Sequence, residues 1–479
     1  MISDLKPYLE YKDSGLPWLG KIPRHWIIRR VKLLLREVDS RSSTGKEQLL
    51  RVSQFTGVTQ RKSADGSDEP DTRAASLVGY KRVCSNDLVI NIMLAWNGSM
   101  GVSRHEGIAS PAYCVYRFNQ DALPWYYHEL LRLPVYKGRI KVASTGVVES
   151  RLRLYSEELG RVEAILPPLD EQAAIVRFLD HATHRLDKAI RAKRKTIALL
   201  NEQKQANIHR AVTRGLDADV PLKDSGIPWL GQIPAHWEVR KLKHIKSRAR
   251  NAFVDGPFGS SLKSIHYVPN GYAYVVESGF ITSGEFKWKE FKTITKEHFY
   301  TIQRSSCSED DIVIAKIGAN YGMAGILPAL MRPAVVSGNS LKLTVDNAIA
   351  SNRFVHVALL SARVGGALNL IVNATAQPAL SLGTLNNLSL PVPPRNEQNE
   401  ILMHIGDVTE DLVNAISRIA REIELLREYR TCLIADVVTG KLDVREAAAR
   451  LPEVEETPAD EPELAELEES GEELSEEEA

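Results

Sequence analysis

The chain contains one 21-residue segment twice, and a duplication of that length constrains the fold before any single residue does. Lys12 to Lys32 reads KDSGLPWLGKIPRHWIIRRVK and Lys223 to Lys243 reads KDSGIPWLGQIPAHWEVRKLK, with 14 identities in 21 positions at a constant offset of 211 residues, Trp18 to Trp229. Chance gives about one or two matches in such a window. A second duplication follows in each copy. Leu166-Pro167-Pro168-Leu169-Asp170-Glu171-Gln172 recurs as Val392-Pro393-Pro394-Arg395-Asn396-Glu397-Gln398, now at an offset of 226 (Gln172 to Gln398). The same offset relates Thr213 to Thr439 and Leu216-Asp217 to Leu442-Asp443. Each half has a shared opening, a divergent middle and a shared closing segment. Two like frames around two unlike inserts describe one scaffold that presents two different readers.

The closing segments read as long helices. Asp170 and Asn396 are good N-cap residue types, each just after a Pro-Pro, and no proline or glycine interrupts Asp170 to Arg214. Apolar residues recur in steps of three and four: Ile175, Leu179, Leu186, Ile190, Ile197 and Leu200 in the first copy, and Ile405, Leu412, Ile416, Ile423 and Leu426 in the second. Sustained over several heptads, that spacing predicts a coiled-coil seam, weakened at Lys193 and Lys204 and loosened at Gly406. The stripe is core, and its use is spacing. Because each insert feeds the N-terminal end of its own helix, pairing of the two helices must be antiparallel. The segment Thr439-Gly440-Lys441-Leu442-Asp443 should then arrive beside Lys12-Asp13-Ser14-Gly15 and give an internal pseudo-twofold repeat.

Length and composition narrow the class. A chain of 479 residues allows about three domain-sized units. Its four cysteines, Cys84, Cys114, Cys307 and Cys432, have no C-x-x-C spacing, which argues against a structural zinc site or a disulfide framework. Neither a signal peptide nor a run near the ~20 apolar residues of a membrane span is visible, so a cytoplasmic protein without a membrane partner is expected. The formal net charge of zero conceals an asymmetry. Residues 446–479 hold 15 acidic residues and one base, Arg450, which leaves 60 Lys+Arg against 46 Asp+Glu, a net +14, in residues 1–445. A basic body with a separable acidic tail suits a polyanion binder, although a surface charge of this size also occurs on bodies with no such partner. The tail, sparse in apolar residues and broken by Pro452, Pro458 and Pro462, is expected to be disordered and to have no catalytic role.

The middles read as mixed α and β. Leu49 to Phe55, Asp87 to Ile92, Ala112 to Phe118, Asp311 to Ile317 and Leu341 to Val345 are strand-like, while Pro124 to Leu133 and Ser351 to Ala362 are helix-like. Polar, glycine-rich loops lie between them. Side chains on such loops suit reading base edges and gripping phosphates: Trp96, Asn97, Ser99, Thr145 and Arg151 in the first insert, and Phe258, Ser260, Ser261, Lys263, Lys316, Asn320 and Tyr321 in the second. Taken singly, each such loop reads more often as a plain turn in which glycine supplies a positive φ. Trp18, Trp26, Trp229 and Trp237 read as packing anchors of the frame. Motifs for catalysis are missing: there is no G-x-G-x-x-G, phosphate-binding Walker loop, H-E-x-x-H or G-x-S-x-G. The Pro-Pro pairs lack the flanking residues of an amino-methyltransferase motif, and Glu285 to Lys287 lacks the upstream Pro-Asp of a nuclease motif.

Taken together, these residues resemble the specificity subunit of type I restriction-modification systems over nearly all of residues 11–445. The resemblance rests on D-S-G-x-P-W-L-G-x-I-P-x-H-W at Asp13 to Trp26 and Asp224 to Trp237. It also rests on P-P-x-x-E-Q at Pro167 to Gln172 and Pro393 to Gln398, and on T-G-K-L-D-V-R at Thr439 to Arg445. Within the inserts, Asn86 to Asn91 leading to Trp96, Asp255 to Ser260, and Ala376 to Ser381 look like target-recognition motifs, which adds Asn91, Gln377 and Ser381 to the candidate DNA contacts. The acidic extension after Glu446 is not a feature of the resemblance.

The resemblance implies an α+β fold: two mixed target-recognition domains separated by a long antiparallel two-helix coiled coil. The expected organisation is an opening repeat element at 1–26, recognition domain one at 27–165, the first spacer helix at 166–217 and the repeated linker at 218–237. Recognition domain two at 238–391, the second spacer helix at 392–445 and the acidic tail at 446–479 complete it. The resemblance further implies a non-catalytic chain that binds double-stranded DNA, one half-site per domain. Two modification subunits would carry S-adenosylmethionine and adenine methylation, and restriction subunits would carry ATP and Mg. No cofactor or metal is expected on this chain. Methylating adenine requires the base to leave the stack, which a reader that bends or clamps the duplex would assist. The reading from a different class is a scaffold whose two domains bind proteins, against which the net +14 body argues mildly.

Overall fold

The computed structural model describes residues 5–61, 74, 76–148, 151–318, 320–369 and 379–452. The chain divides into two units, 1–192 with 422–479, and 193–421.

In the first unit the repeated opening is a short antiparallel ladder, Tyr11–Asp13 on Lys21–Pro23. The turn between them explains the motif. Asp13 Oδ1 accepts from the amide of Gly15, and Gly15 and Gly20 both take positive φ (73° and 75°), where a Cβ would be strained. The chain then enters the insert on Ile27–Arg30 and leaves on Glu163–Leu166, and these two strands pair antiparallel with each other. The insert is therefore closed at its base by its own entry and exit. Its main sheet has the order Leu35–Glu37, Tyr113–Phe118, Leu88–Asn91, Met100–Val102, all antiparallel. Leu50–Ser53 with Gly57–Gln60, and Gly107–Ala109 with Lys81–Val83, form two further ladders joined by a parallel bridge from Leu49 to Ile108. Helices Pro124–Arg132 and Pro134–Ala143 cover the main sheet and bury Tyr126, Tyr127, Leu130, Tyr136 and Ile140.

The second unit repeats this plan in a different sequence. Leu222–Asp224 pairs with Gln232–Pro234, and Glu238–Lys241 pairs with Ser389–Val392 to close the insert. The main sheet runs Phe253–Asp255, Ser340–Leu343, Ile312–Ala315, Ala324–Ile326, the same first-last-second-third order. The second sheet is complete here: Lys292–Ile294, Ala273–Val276, Ala334–Val336 and Ser306–Cys307, with a parallel pair where the first unit has its Leu49 bridge. Helix Asn352–Val364 takes the place of Pro124–Arg132. The inserts diverge in sequence and coincide in topology.

Two long helices, Leu169–Arg214 and Arg395–Val438, each continue from one unit into the other. Within the first unit they pack antiparallel: Ile175, Phe178, Leu179 and Ala182 share a core with Leu433, Val437 and Val438, and Arg430 Nη1 reaches Asp187 Oδ1 at 3.1 Å. Within the second unit, Ala211, Val212 and Ile208 share a core with Ile401, Leu402 and Ile405 in the same sense. Of the seam positions, Ile175, Leu179, Ile190 and Ile423 are buried, while Leu186, Ile197, Leu200, Ile405, Leu412, Ile416 and Leu426 are half-buried. Gly406 does not break its helix.

The repeated Glu-Gln explains why the frame is kept. Glu171 accepts from Trp26 Nε1 (2.8 Å) and Tyr8 Oη (3.0 Å), and its other oxygen meets His25 Nε2 at 2.6 Å. Glu397 accepts from Trp237 Nε1 (3.0 Å) and meets His236 Nε2 at 2.9 Å. Gln172 accepts from the amide of Leu123 and donates to the carbonyls of Asp121 and Pro167. Gln398 accepts from Ser351 and donates to Pro393 in the same way. The opening motif, the insert and the helix start are thus joined at one polar knot per copy. Trp26 and Trp237 are fully buried, Trp229 is buried and Trp18 is half-buried, packed edge-on to Tyr136.

Two expectations are corrected. Asp170 and Asn396 are not N-caps: the helices begin one residue earlier, and the amides of Gln172 and Gln398 donate to the carbonyls of Pro168 and Pro394. The second proline closes the first turn, and the acidic or amide residue lies inside it. The tail does not begin as a free chain at Glu446. Arg445–Ala449 is a short helix with Ala448 buried, and Leu451 is buried after it. The segment before it docks as expected on the N-terminal frame. Lys6 bridges Asp443, Tyr11 Oη donates to the carbonyls of Gly440 and Lys441, and a Cβ on Gly440 would lie 2.6 Å from Pro23.

Candidate nucleic-acid interface

In both units the candidate loops gather at the same end of the main sheet. The residue that follows the second sheet strand marks the place. Ile92 O accepts from the amide of Leu154 in the first unit, and Lys316 O accepts from the amide of Leu380 in the second, both at 2.9 Å. Each bond draws a late loop of the insert onto the sheet end.

In the second unit Asp255, Phe258 and Lys316 come together. Asp255 is buried at the end of its strand, and its carboxylate meets Lys316 Nζ at 3.6 Å and Arg304 Nη2 at 3.3 Å. Ser305 Oγ donates to its carbonyl. The chain then turns sharply, since a Cβ on Gly256 would lie 1.8 Å from Ser337 O, so only glycine fits. The turn projects Phe258, 65% exposed, with Lys316 Nζ 5.1 Å from its ring centroid. Ile317 bridges Ala379, which brings the residues from Ala379 to Ser381 to the same place. An exposed aromatic ring beside a lysine and an arginine can stack on a sugar or base and neutralise phosphate. Ser260, Ser261 and Lys263 are exposed on the loop beyond. Asn320 is exposed; Tyr321 is half-buried and its hydroxyl donates to Asn369 Oδ1. Ser381 is exposed but caps the helix Leu382–Asn386 by accepting from the amide of Thr384. Gln377 lies outside the described residues.

In the first unit Trp96 is half-buried. Its indole donates to Met93 O, and Lys141 Nζ lies 5.3 Å from the ring centroid. Thr145 and Arg151 are exposed on the loop that returns through the Thr145–Arg153 bridge. Three further candidates, Asn91, Asn97 and Ser99, bond within the protein, and Asn97 is half-buried. Asn91 and Ser99 are buried; Asn91 Oδ1 accepts from the amide of Met93, and Asn97 Oδ1 accepts from both the amide and the hydroxyl of Ser99. Their polar atoms close the turn that carries Trp96. A hollow of about 520 Å³ opens here, lined by Glu37, Ile92, Cys114, Thr145, Tyr155, Ser156, Glu157 and Glu158.

The ionisable groups behind these loops are structural. Asp87 is buried and accepts a bidentate pair from Arg117, 2.9 Å each, and these bonds hold the guanidinium charge more firmly than usual. Asp311, at the matching place, meets Lys342 and accepts from Thr344. Burial, with Arg132 and Arg104 nearby, pushes His128 down, so it is neutral and accepts from the amide of Val102. Burial likewise pushes the Cys114 and Cys307 thiols up, which makes them poor nucleophiles. Among the described residues no group of three or more His, Cys, Asp or Glu side chains could hold a metal, and no helix is long and apolar enough to cross a membrane. Arg304 and Lys141 were not singled out by sequence. Neither lies in a motif, and Arg304 meets a carboxylate 49 residues away.

A duplicated frame, the long helices and two main sheets of one strand order, each with polar and basic loops at one end of its own sheet, recur in the two units. Residues 259–425 match the family described as the type I restriction modification DNA specificity domain. The chain is similar to the type I restriction enzyme MjaVIII specificity subunit of Methanocaldococcus jannaschii, 23% identical over 379 residues, covering 76% of this chain and 83% of the relative. It is also similar to the EcoBI specificity subunit of Escherichia coli, 25% identical over 308 residues and 62% of each chain. Among solved structures, a chain from a study of complex assembly and conformational transition in the type I R-M system has the same fold, with TM-score 0.62, 13% identity, and coverage of 88% of this chain and 99% of that one. Residues 259–425 thus carry the DNA specificity domain of type I restriction-modification systems, and over most of its length the chain is similar to the specificity subunits of such systems.

Proposed function

We propose that this chain chooses the DNA for such a system, reading a bipartite target with one half-site per insert. The observation that carries the reading is the coincidence of topology with divergence of loops. Both inserts put their variable polar loops at the same end of the same sheet, and the loops differ in chemistry. One presents Trp96, Thr145 and Arg151, the other Phe258, Lys316 and Arg304. Phosphate contacts from the basic residues position the duplex, while loop side chains discriminate bases. The chain itself is non-catalytic and binds no cofactor. Two modification subunits bring S-adenosylmethionine and methylate adenine, and restriction subunits bring ATP and Mg. The complex works in the cytoplasm, where its DNA is.

A titration of the chain with its modification partner against duplex DNA at several salt concentrations tests the reading. Phosphate contact predicts affinity falling with salt, with a log–log slope near −0.9 per neutralised phosphate. A scaffold whose domains bind proteins shows no such DNA binding, and that result would reject the proposal.

A further inference from the structure

We propose that residues 453–479 dock on the exposed basic face of the first long helix, at Arg185, Lys188 and Arg191, and compete there with other polyanions. The segment holds 14 acidic residues and no base in 27 positions. Its point of departure is fixed. Leu451 is buried, and Arg177 Nη2 donates to the carbonyls of Leu451 (2.6 Å) and Pro452 (3.2 Å), so the segment leaves the body beside an early turn of that helix. Arg185, Lys188 and Arg191 follow on the same helix and are all exposed. Spaced three apart, they occupy about a third of its circumference. Asp187, the acid among them, is already bonded to Arg430.

Reach and charge both favour this occupant. From Arg177 to Arg191 the helix rises about 21 Å, a distance that about seven extended residues span. A covalent tether holds the carboxylates at an effective concentration on the order of millimolar, far above that of a free competitor. The consequence for DNA rests on the proposed DNA-binding function; the docking does not. A docked acidic segment lowers affinity for any duplex that offers phosphates alone. A duplex that also offers the right bases displaces it, so the segment widens the gap between cognate and non-cognate binding.

Zero-length carbodiimide cross-linking of the full chain at low salt, mapped by mass spectrometry, tests the docking. Cross-links between Lys188 and carboxylates of 453–479 are expected, and they should disappear in 0.5 M salt, a concentration of about 4 Å Debye length. No such cross-link, or cross-links confined to lysines elsewhere such as Lys141 or Lys263, overturns the proposal. A second variant has every tail carboxylate replaced by its amide, with an unchanged melting temperature showing that it folds. In complex with the modification partner it should bind non-cognate duplex at least about threefold more tightly, with a smaller change for cognate duplex. Cross-links with unchanged non-cognate affinity overturn the competition. Cross-links with no DNA binding by either form leave the docking standing and reject the DNA-binding function instead.

Discussion

Glu171 and Glu397 hold equivalent places in the two frames, yet the first has more to lose. Glu171 serves the buried indole of Trp26 and the buried hydroxyl of Tyr8, and Arg445 Nη1 also reaches it at 3.3 Å. Glu397 serves Trp237 and His236 and is more exposed. Truncation leaves buried donors unpaired, each costing about 1–3 kcal/mol. Glu171→Ala should destabilise the fold by about 3 kcal/mol and Glu397→Ala by about 1–2 kcal/mol, read from denaturant midpoints at constant m-value. Equal losses would mean that Tyr8 and Arg445 add nothing to the knot. At the interface, Asn91→Ala should cost about 1 kcal/mol of stability and leave the recognised sequence unchanged, because its side chain closes a turn. Arg304→Ala should do the reverse, reducing the salt slope of DNA binding by about one phosphate with stability nearly intact. A changed target for Asn91→Ala, found by mapping methylated bases, would restore it as a base contact.

At the scale of elements, the two long helices were plain in the sequence, since a period sustained over about 45 residues outweighs any local exception. The sheets were legible only as scattered fragments. Leu88–Asn91 and Ile312–Ala315 are buried on both faces, so they show no alternation, and nothing in them reveals that both main sheets share one strand order. The recurrence of Glu-Gln was visible, but its partner was not, because Trp26 lies 145 residues from Glu171. The turn-closing bonds of Asn91, Asn97 and Ser99 were not legible for a physical reason: amide and hydroxyl side chains that read bases are the same types that close turns. The helices make a further claim testable. One heptad inserted after Lys195 and one after Arg421, both near the junction of the two units and far from either frame, lengthens each helix by about 10 Å and keeps the seam in phase. The unspecified spacer of the target should grow by roughly three base pairs while both half-sites stay the same. An active complex with an unaltered spacer would show that the helices do not set the distance.

At the scale of the molecule, the duplication separates what must be kept from what can vary. Each insert enters and leaves on a pair of strands that close on each other, Ile27–Arg30 with Glu163–Leu166 and Glu238–Lys241 with Ser389–Val392. Behind each pair, the frame makes its own contacts through Trp26, Glu171 and Gln172, or through Trp237, Glu397 and Gln398. A foreign insert that supplies the same closing strands should therefore seat without disturbing the other reader. The most direct measurement replaces residues 27–165 with the matching insert of a relative and maps methylated adenines across the host genome. The recovered target should have one new half and one original half. A target changed in both halves, or in neither, would contradict one reader per half-site.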